Sequence, residues 1–201
     1  MAATEAVMHS LKFPTPLLIG LALLAVSGGV IAQTRGEKEE FTAVAIANNT
    51  VQTGAGTVLI SIDRWSTDAE RDTLVSTLVN KGPRALIDAL QDMRPVGRIR
   101  TPDSLGYDLH YAYQTAGEDG GRRIVVGTDR PIGFWEAYNQ TRTVDYPFTI
   151  VEMHIGPDGR GTGTLSEFTK VLAHENNIYL ENFANAPVML TDIRAKKKTD
   201  D

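Results

Sequence analysis

Apolar and polar residues alternate along most of the chain from Phe41 onward, and short turn signals interrupt the alternation. Between Tyr107 and Tyr113, for example, Tyr and Leu alternate with Asp, His and Ala, which is the period-two pattern of a half-buried strand. Turns such as Pro157-Asp158-Gly159 separate successive patterns of this kind. Connections this short join antiparallel neighbours, so the sequence predicts an antiparallel sheet of about eight to ten strands.

The period changes in one place, over about residues 67–93. Thr67-Asp68-Ala69-Glu70 matches the capping box, in which a Thr hydroxyl and a Glu carboxylate accept hydrogen bonds from free backbone N–H groups. An apolar stripe with helical spacing follows. Gly82-Pro83 then ends one helix and begins another, because Gly suits a left-handed C-terminal position and Pro suits a first turn. The segment predicts one helical hairpin, inserted after the second strand.

Together these patterns predict an α+β fold that is rich in β-structure. The sheet must bury its apolar face, and it can do so as a barrel, as a sandwich or as a strongly curved sheet. The sequence leaves these three arrangements open. We expect the helical hairpin to pack on the sheet or to plug one end of it.

The first 32 residues have the order of a secretory signal. Lys12 precedes an apolar run from Leu17 to Val26, and small residues follow as far as Ala32. This charged, apolar, small-residue order predicts cleavage after Ala32 and export to the periplasm or the extracellular space. An uncleaved membrane anchor is the alternative, but the apolar stretch is shorter than the roughly 20 residues that a spanning helix needs. We therefore expect no membrane span after cleavage.

Three segments follow the predicted signal. Residues 33–40 are polar and predict a linker, whereas residues 41–194 show no repeat and no shift in composition and predict a single globular domain. Residues 195–201 are charged and lack an apolar anchor, so we expect a frayed tail.

Charge and composition exclude several function classes. The formal net charge of −5 argues against a nucleic-acid partner, since a general binder needs an excess of Lys and Arg. The chain has no Cys, which excludes disulfides, thiol nucleophiles, iron–sulfur clusters and Cys-type zinc sites. The sequence predicts no cofactor.

Two histidines each follow a carboxylate by two residues, namely His110 after Asp108 and His154 after Glu152. Residues at this spacing share one face of a strand. If the two strands are neighbours, these four side chains converge as ligands for zinc, iron or manganese. The alternative is that they occupy the solvated face of the sheet.

A row of tyrosines at Tyr107, Tyr111 and Tyr113 has two interpretations. If the row faces inward with Leu109, it lines a cavity in which phenol groups orient an apolar ligand. The alternative is ordinary packing within the sheet, with the hydroxyl groups at its rim.

A second group of candidate ligand-binding residues follows the strand that ends near Thr128. Arg130, Phe134 and Trp135 lie close together on an expected connection, and exposed aromatics beside an Arg are typical of binding surfaces. The alternative is that the aromatic residues plug the core and that Arg130 pairs with Asp129.

Three functions of different classes fit these observations. We expect an exported, non-catalytic domain that binds a small apolar molecule or an envelope protein. The runner-up is an assembly module that forms homo-oligomers through its sheet edges. A third interpretation is a hydrolase or metal-dependent enzyme that uses His110, His154 and the nearby carboxylates.

Overall fold

The computed structural model describes residues 36–48, 53–117, 119–130, 132, 147–174, 177–182 and 186–197. The expected signal sequence and residues 198–201 lie outside the described residues, as do Phe134 and Trp135. Within the described ranges the chain forms ten strands and two helices. These are β1 (Glu39–Asn48), β2 (Thr53–Ile62), α1 (Asp68–Lys81), α2 (Pro83–Gln91), β3 (Gly97–Arg100), β4 (Tyr107–Leu109), β5 (Tyr111–Ala116), β6 (Arg122–Thr128), β7 (Phe148–Ile155), β8 (Arg160–His174), β9 (Asn177–Asn182) and β10 (Val188–Lys197).

All the described strands belong to one antiparallel sheet. The strand order is β4-β3-β2-β1-β10-β8-β7-β6-β5, and β9 pairs with β8. Most neighbours in the sheet are also neighbours in sequence, whereas β10 lies between β1 and β8. The predicted antiparallel sheet with a helical hairpin after its second strand is confirmed.

The two ends of the strand order meet at His110. Only this residue separates β4, which pairs with β3, from β5, which pairs with β6. The His110 N–H donates to the Gly127 carbonyl at 3.0 Å, so the junction also contacts β6. Among the described strands the path is open rather than closed into a barrel. Of the three predicted arrangements, the closed barrel is therefore not the one found, and the sheet must curve because its two ends meet at His110.

The helical hairpin begins and turns where the sequence predicts. The Thr67 hydroxyl accepts the Glu70 N–H at 3.1 Å, and the Glu70 carboxylate accepts the Thr67 N–H at 2.8 Å, which completes the capping box. Gly82 adopts a φ of 83°, a conformation that favours glycine, and Pro83 opens α2. Neither described helix has the length and apolar character needed to cross a membrane.

Two apolar clusters lie on opposite faces of the sheet. We call the cluster inside the curve the inner core and the cluster under the helical hairpin the outer core. The inner core consists of Phe41, Ala43, Ala45, Ala47, Val58, Ile60, Ile62, Val96, Ile99, Leu109, Ala112, Ile124, Val126, Ile132, Val151, Met153, Ile155, Leu165, Val188, Leu190 and Ile193. The outer core consists of Leu74, Leu78, Leu86, Leu90, Phe148 and Val171, with partly buried neighbours that include Tyr111, Ile150, Ile178 and Leu180.

β1 begins at Glu39 and β10 ends at Lys197, so the two strands extend into residues 33–40 and 195–201. Glu39 and Glu40 belong to β1, where they lie opposite Lys197 and Lys196 of β10. The Glu39 carboxylate is also buried and accepts a hydrogen bond from Arg122 at 2.7 Å. Glu39 therefore has a charged partner on β6 at the start of β1.

Candidate functional site

A cavity of about 160 Å³ separates the helical hairpin from the outward face of the sheet. Its walls come from both helices and from β5 to β9, and they are almost entirely apolar. The apolar lining residues are Leu74, Val75, Leu78, Leu86, Leu90, Tyr111, Val125, Phe148, Ile150, Val171, Ile178 and Leu180.

The roof of the cavity follows from helical spacing. Leu74 and Leu78 are four residues apart on α1, and Leu86 and Leu90 are four apart on α2, so each pair presents one face of its helix. All four leucines are buried in the outer core. The hairpin therefore covers the sheet with two rows of apolar side chains, one from each helix.

The floor of the cavity contains a gap in the sheet's outward side chains. Gly127 lies between Tyr111 of β5 and Ile150 of β7 in the strand register. A Cβ atom at Gly127 would lie 3.2 Å from Ile150 Cδ1, so a side chain here would crowd Ile150. Glycine at this position therefore leaves room for the Ile150 side chain.

One end of the cavity is polar, and Arg71 and Tyr113 form part of it. The Tyr113 hydroxyl donates to Asp68 at 3.1 Å, and Arg71 Nη1 donates to the Tyr113 hydroxyl at 3.3 Å. The Arg71 guanidinium lies 5.2 Å from the centre of the Tyr113 ring, within the range of a cation–π interaction. Tyr111 stacks on Tyr113 with ring centres 6.2 Å apart. Burial of Tyr111 raises the pKa of its phenol, so this ring remains neutral.

Arg123 and Glu152 complete the polar end of the cavity on β6 and β7. Arg123 Nε donates to Glu152 Oε1 at 2.6 Å, and His154 Nε2 lies 2.9 Å from the same oxygen. Burial raises the pKa of Glu152, but the hydrogen bonds and charges of Arg123 and His154 together outweigh burial and hold the pKa below its ordinary value. Glu152 is therefore an anion that already has two partners.

The predicted tyrosine row divides between the two faces of the sheet. Tyr111 and Tyr113 line the cavity, whereas Tyr107 packs against the inner core beside Leu109. The break at His110 shifts the alternation by one residue, so that the tyrosines of β5 face the helices. The three tyrosines therefore do not form the single inward-facing row on which the cavity interpretation depended.

Arg130 belongs to the second predicted group of ligand-binding residues. Among the described residues, it does not line this cavity. The Arg130 side chain is exposed and donates through Nε to Asp129 at 3.2 Å. This is the pairing that the sequence offered as the alternative. Phe134 and Trp135 lie outside the described residues.

The predicted metal ligands do not converge. The His110 side chain is buried beside the end of the helical hairpin, where its Nδ1 donates to the Met93 carbonyl at 3.2 Å and its Nε2 lies 3.6 Å from Asp129. Asp108 instead forms an ion pair with Arg98 at 2.9 Å on the exposed face. The break between β4 and β5 thus separates a pair that simple alternation would have kept together.

The two histidines are also far apart in the sheet. His110 lies beside the row that contains Thr149, whereas His154 lies near the other end of β7. At about 3.3 Å per residue, this places the two rows more than about 15 Å apart. Across the part of the chain that the structure describes, no three His, Asp or Glu side chains form a metal-binding group. The side chain of His174 is not described.

Sequence reasoning missed Arg71 as a lining residue. Arg71 precedes Leu74 by three residues and Leu78 by seven, which places it on the apolar face of the predicted helix. A charged residue on that face was the signal that could have identified it.

Comparison with protein-family models, with curated proteins and with solved structures gives no match for this chain. The geometry of the cavity therefore carries the functional argument. Apolar walls with a few polar groups at one end are typical of small-molecule sites.

Proposed function

We propose that this protein is an exported, non-catalytic binding protein for a small apolar molecule, which it holds in the cavity between hairpin and sheet. The cavity of about 160 Å³ is the observation that supports this function. A cavity of about 150 Å³ lined by Leu, Ile and Phe stays dry and binds benzene. The ligand's apolar part is thus about the size of one aromatic ring or a short alkyl chain.

The area that such a ligand buries sets the expected affinity. Removing about 200 Å² of apolar surface from water contributes about 5 kcal/mol, which corresponds to a Kd of about 0.2 mM. The ligand also loses translational and rotational freedom on binding, and this loss makes the affinity weaker than that Kd. An apolar molecule of this size is therefore expected to bind in the millimolar to submillimolar range.

Toluene is a suitable probe, and thermal unfolding is the measurement. We expect saturating toluene to raise the Tm of the wild-type protein, because a ligand that binds only the folded state stabilises it. Val125→Phe places a ring in the cavity and should abolish the increase. Val44→Phe is the matched control, since Val44 is an exposed outward-facing residue of β1. An unchanged wild-type Tm, or an equal increase in Val125→Phe, would contradict the proposal.

Export is tested separately, by the mass of the purified product. The full-length gene is expressed in a secreting bacterial host, and cleavage after Ala32 should give a polypeptide that begins at Gln33. The apolar run from Leu17 to Val26 and the small residues after it support this expectation. Recovery of the uncleaved chain from the cytoplasm would overturn it.

Self-association through a sheet edge is a second candidate, and β9 supports it. Within the described residues β9 pairs with β8 alone, so its other edge is a template for a further strand. A native mass that doubles between micromolar and higher protein concentrations would favour assembly. If the native mass is that of a monomer at every concentration, and the Tyr179→Lys variant gives the same mass, self-association through this edge is excluded.

A further inference from the structure

We propose that the ligand is a neutral molecule with a hydrogen-bond acceptor, such as a carbonyl oxygen, and that the Tyr111 hydroxyl donates to this acceptor. The apolar part of the ligand then fills the space under the hairpin. This inference rests on the proposed binding function and names the chemical class of its ligand. It follows from the position of Tyr111 and from the pairing of the charged residues around the cavity.

The Tyr111 side chain lies further under the hairpin than that of Tyr113. Tyr111 packs against the outer core, whereas the Tyr113 hydroxyl contacts Asp68 and Arg71 at the polar end of the cavity. Side chains on one face of a strand stand roughly perpendicular to the sheet, and the planes of these two rings differ by only 12°. Both hydroxyl groups therefore point from the sheet toward the helices.

The Tyr111 hydroxyl is an unused hydrogen-bond donor. Among the described residues no side chain or backbone group forms a hydrogen bond with it. Unlike Arg71 Nε, which is fully buried, the Tyr111 oxygen keeps some accessible surface. Because Tyr111 lines the cavity, a molecule bound there can reach this oxygen.

The surroundings of Tyr111 favour an acceptor as its partner. Burial raises the pKa of this phenol, so the oxygen keeps its proton and acts as a donor. A hydroxyl in apolar surroundings is more stable when it is hydrogen-bonded, and buried tyrosines usually have a partner. An acceptor atom on the ligand supplies that partner.

The charged residues that line the described cavity already have partners of opposite charge. Arg71 forms ion pairs with Asp68 at 4.0 Å and with Asp72 at 3.7 Å, and Arg123 lies 2.6 Å from Glu152. A charged ligand would lose its hydration without gaining an uncompensated counter-charge, and this loss is costly beside apolar walls. We therefore expect the ligand to be neutral.

Benzonitrile and toluene compare one aromatic ring with and without an acceptor, because a nitrile nitrogen accepts hydrogen bonds and a methyl group does not. Tyr111→Phe removes only the hydroxyl group. We expect this variant to bind benzonitrile about three- to tenfold more weakly than the wild type, since one hydrogen bond is lost. Its affinity for toluene should be unchanged. Titrations that follow the methyl NMR signals of the protein measure both affinities.

Tyr107→Phe is the matched control. Tyr107 packs against the inner core on the other face of the sheet, so its hydroxyl should affect neither affinity. The nitrile stretch of bound benzonitrile is a second measurement, because this infrared band moves to higher frequency when a hydroxyl donates to the nitrogen. We expect the wild-type complex to show this shift relative to benzonitrile in cyclohexane, and the Tyr111→Phe complex to lose it.

Each contrary outcome has a distinct meaning. If toluene binds the wild type but Tyr111→Phe binds benzonitrile as tightly as the wild type does, the role of Tyr111 is overturned and the binding function stands. Equal weakening of toluene and benzonitrile in Tyr111→Phe would also overturn that role. If neither molecule binds the wild type, the proposed function itself fails. The infrared measurement on the wild type needs no variant, so an unshifted nitrile band overturns the inference even if Tyr111→Phe fails to fold.

Discussion

The two faces of one sheet are packed to different degrees. Every member of the inner core is between 0% and 2% exposed, whereas the leucines of the hairpin and Val171 are between 4% and 7% exposed and surround a cavity. The inner core is enclosed by the curvature of the sheet itself. The outer core is covered by helices of only 14 and 9 residues. One face is therefore closely packed throughout, and the other retains unfilled space beneath the helical hairpin.

Truncation of one side chain in each core should give the largest contrast. Ile124→Ala is expected to reduce the free energy of unfolding by about 2–5 kcal/mol, because the inner core leaves its neighbours little room to relax. Leu78→Ala should reduce it by about 2 kcal/mol or less, since Leu78 already borders empty space. Urea denaturation measures both variants. Equal losses would show that the two cores are packed alike.

Adjacent valines on β6 allow the converse experiment. Val126 belongs to the inner core and Val125 lines the cavity. Val126→Phe is expected to destabilise the protein by about 1–3 kcal/mol through overpacking. Val125→Phe should change stability by less than about 1 kcal/mol, because its ring enters existing space. Greater destabilisation by Val125→Phe would refute the difference in packing.

Loss of the helix cap should act on the outer core alone. Thr67→Ala removes the side-chain acceptor of the capping box and is expected to destabilise by about 1 kcal/mol. Amide hydrogen exchange should rise in α1 while β1 and β10 remain protected. Thr57→Ala, at an exposed position of β2, is the control and should alter neither quantity. Uniform loss of protection would mean that the hairpin and the inner core unfold together.

Acid should loosen the outer core before the inner core. Burial raises the pKa values of Glu70, Asp129 and Glu152, but the hydrogen bonds and charges around each carboxylate, chiefly those of its arginine partner, together outweigh burial and hold these pKa values below the ordinary 4.5, 3.8 and 4.5. Over this pH range the unfolded state binds more protons than the folded state. These groups therefore make their full contribution to the free energy of unfolding above about pH 4.5, and this contribution decreases as the pH drops below that value. Glu70 caps α1, and Glu152 lines the cavity.

Hydrogen exchange between pH 6 and pH 3 checks this order. We expect the helical amides to lose protection at a higher pH than those of β1. Glu152→Gln should flatten the dependence of unfolding free energy on pH, because it removes one titrating group. Simultaneous loss of protection in both regions, or an unchanged pH dependence in Glu152→Gln, would contradict the assignment.

Local signals in the sequence predicted the local structure. The capping box at Thr67, the Gly82-Pro83 junction and the Pro157-Asp158-Gly159 turn each depend on a few adjacent residues. The β1–β2 hairpin also lies within a short stretch of chain. These features were predictable because neighbouring residues alone determine them.

The candidate site could not be predicted in the same way. It depends on a one-residue shift at His110, which moves Tyr111 and Tyr113 to the face opposite Leu109. A period-two pattern does not reveal such a shift, because Tyr and His are tolerated on either face. The cavity also requires Gly127 to lie opposite the helical hairpin. Gly127 and the hairpin are far apart in sequence, so no local pattern predicts this arrangement.

The place of β10 in the sheet has a consequence for folding order. Thr191 of β10 hydrogen-bonds to Val44 of β1 across 147 residues. Until β10 has been synthesised, β1 has a partner on one side only, and the inner core stays open along that gap. Contacts between residues so distant in sequence form slowly, because the loop between them must close first. The hairpins can form during synthesis, whereas the fold as a whole is completed only afterwards.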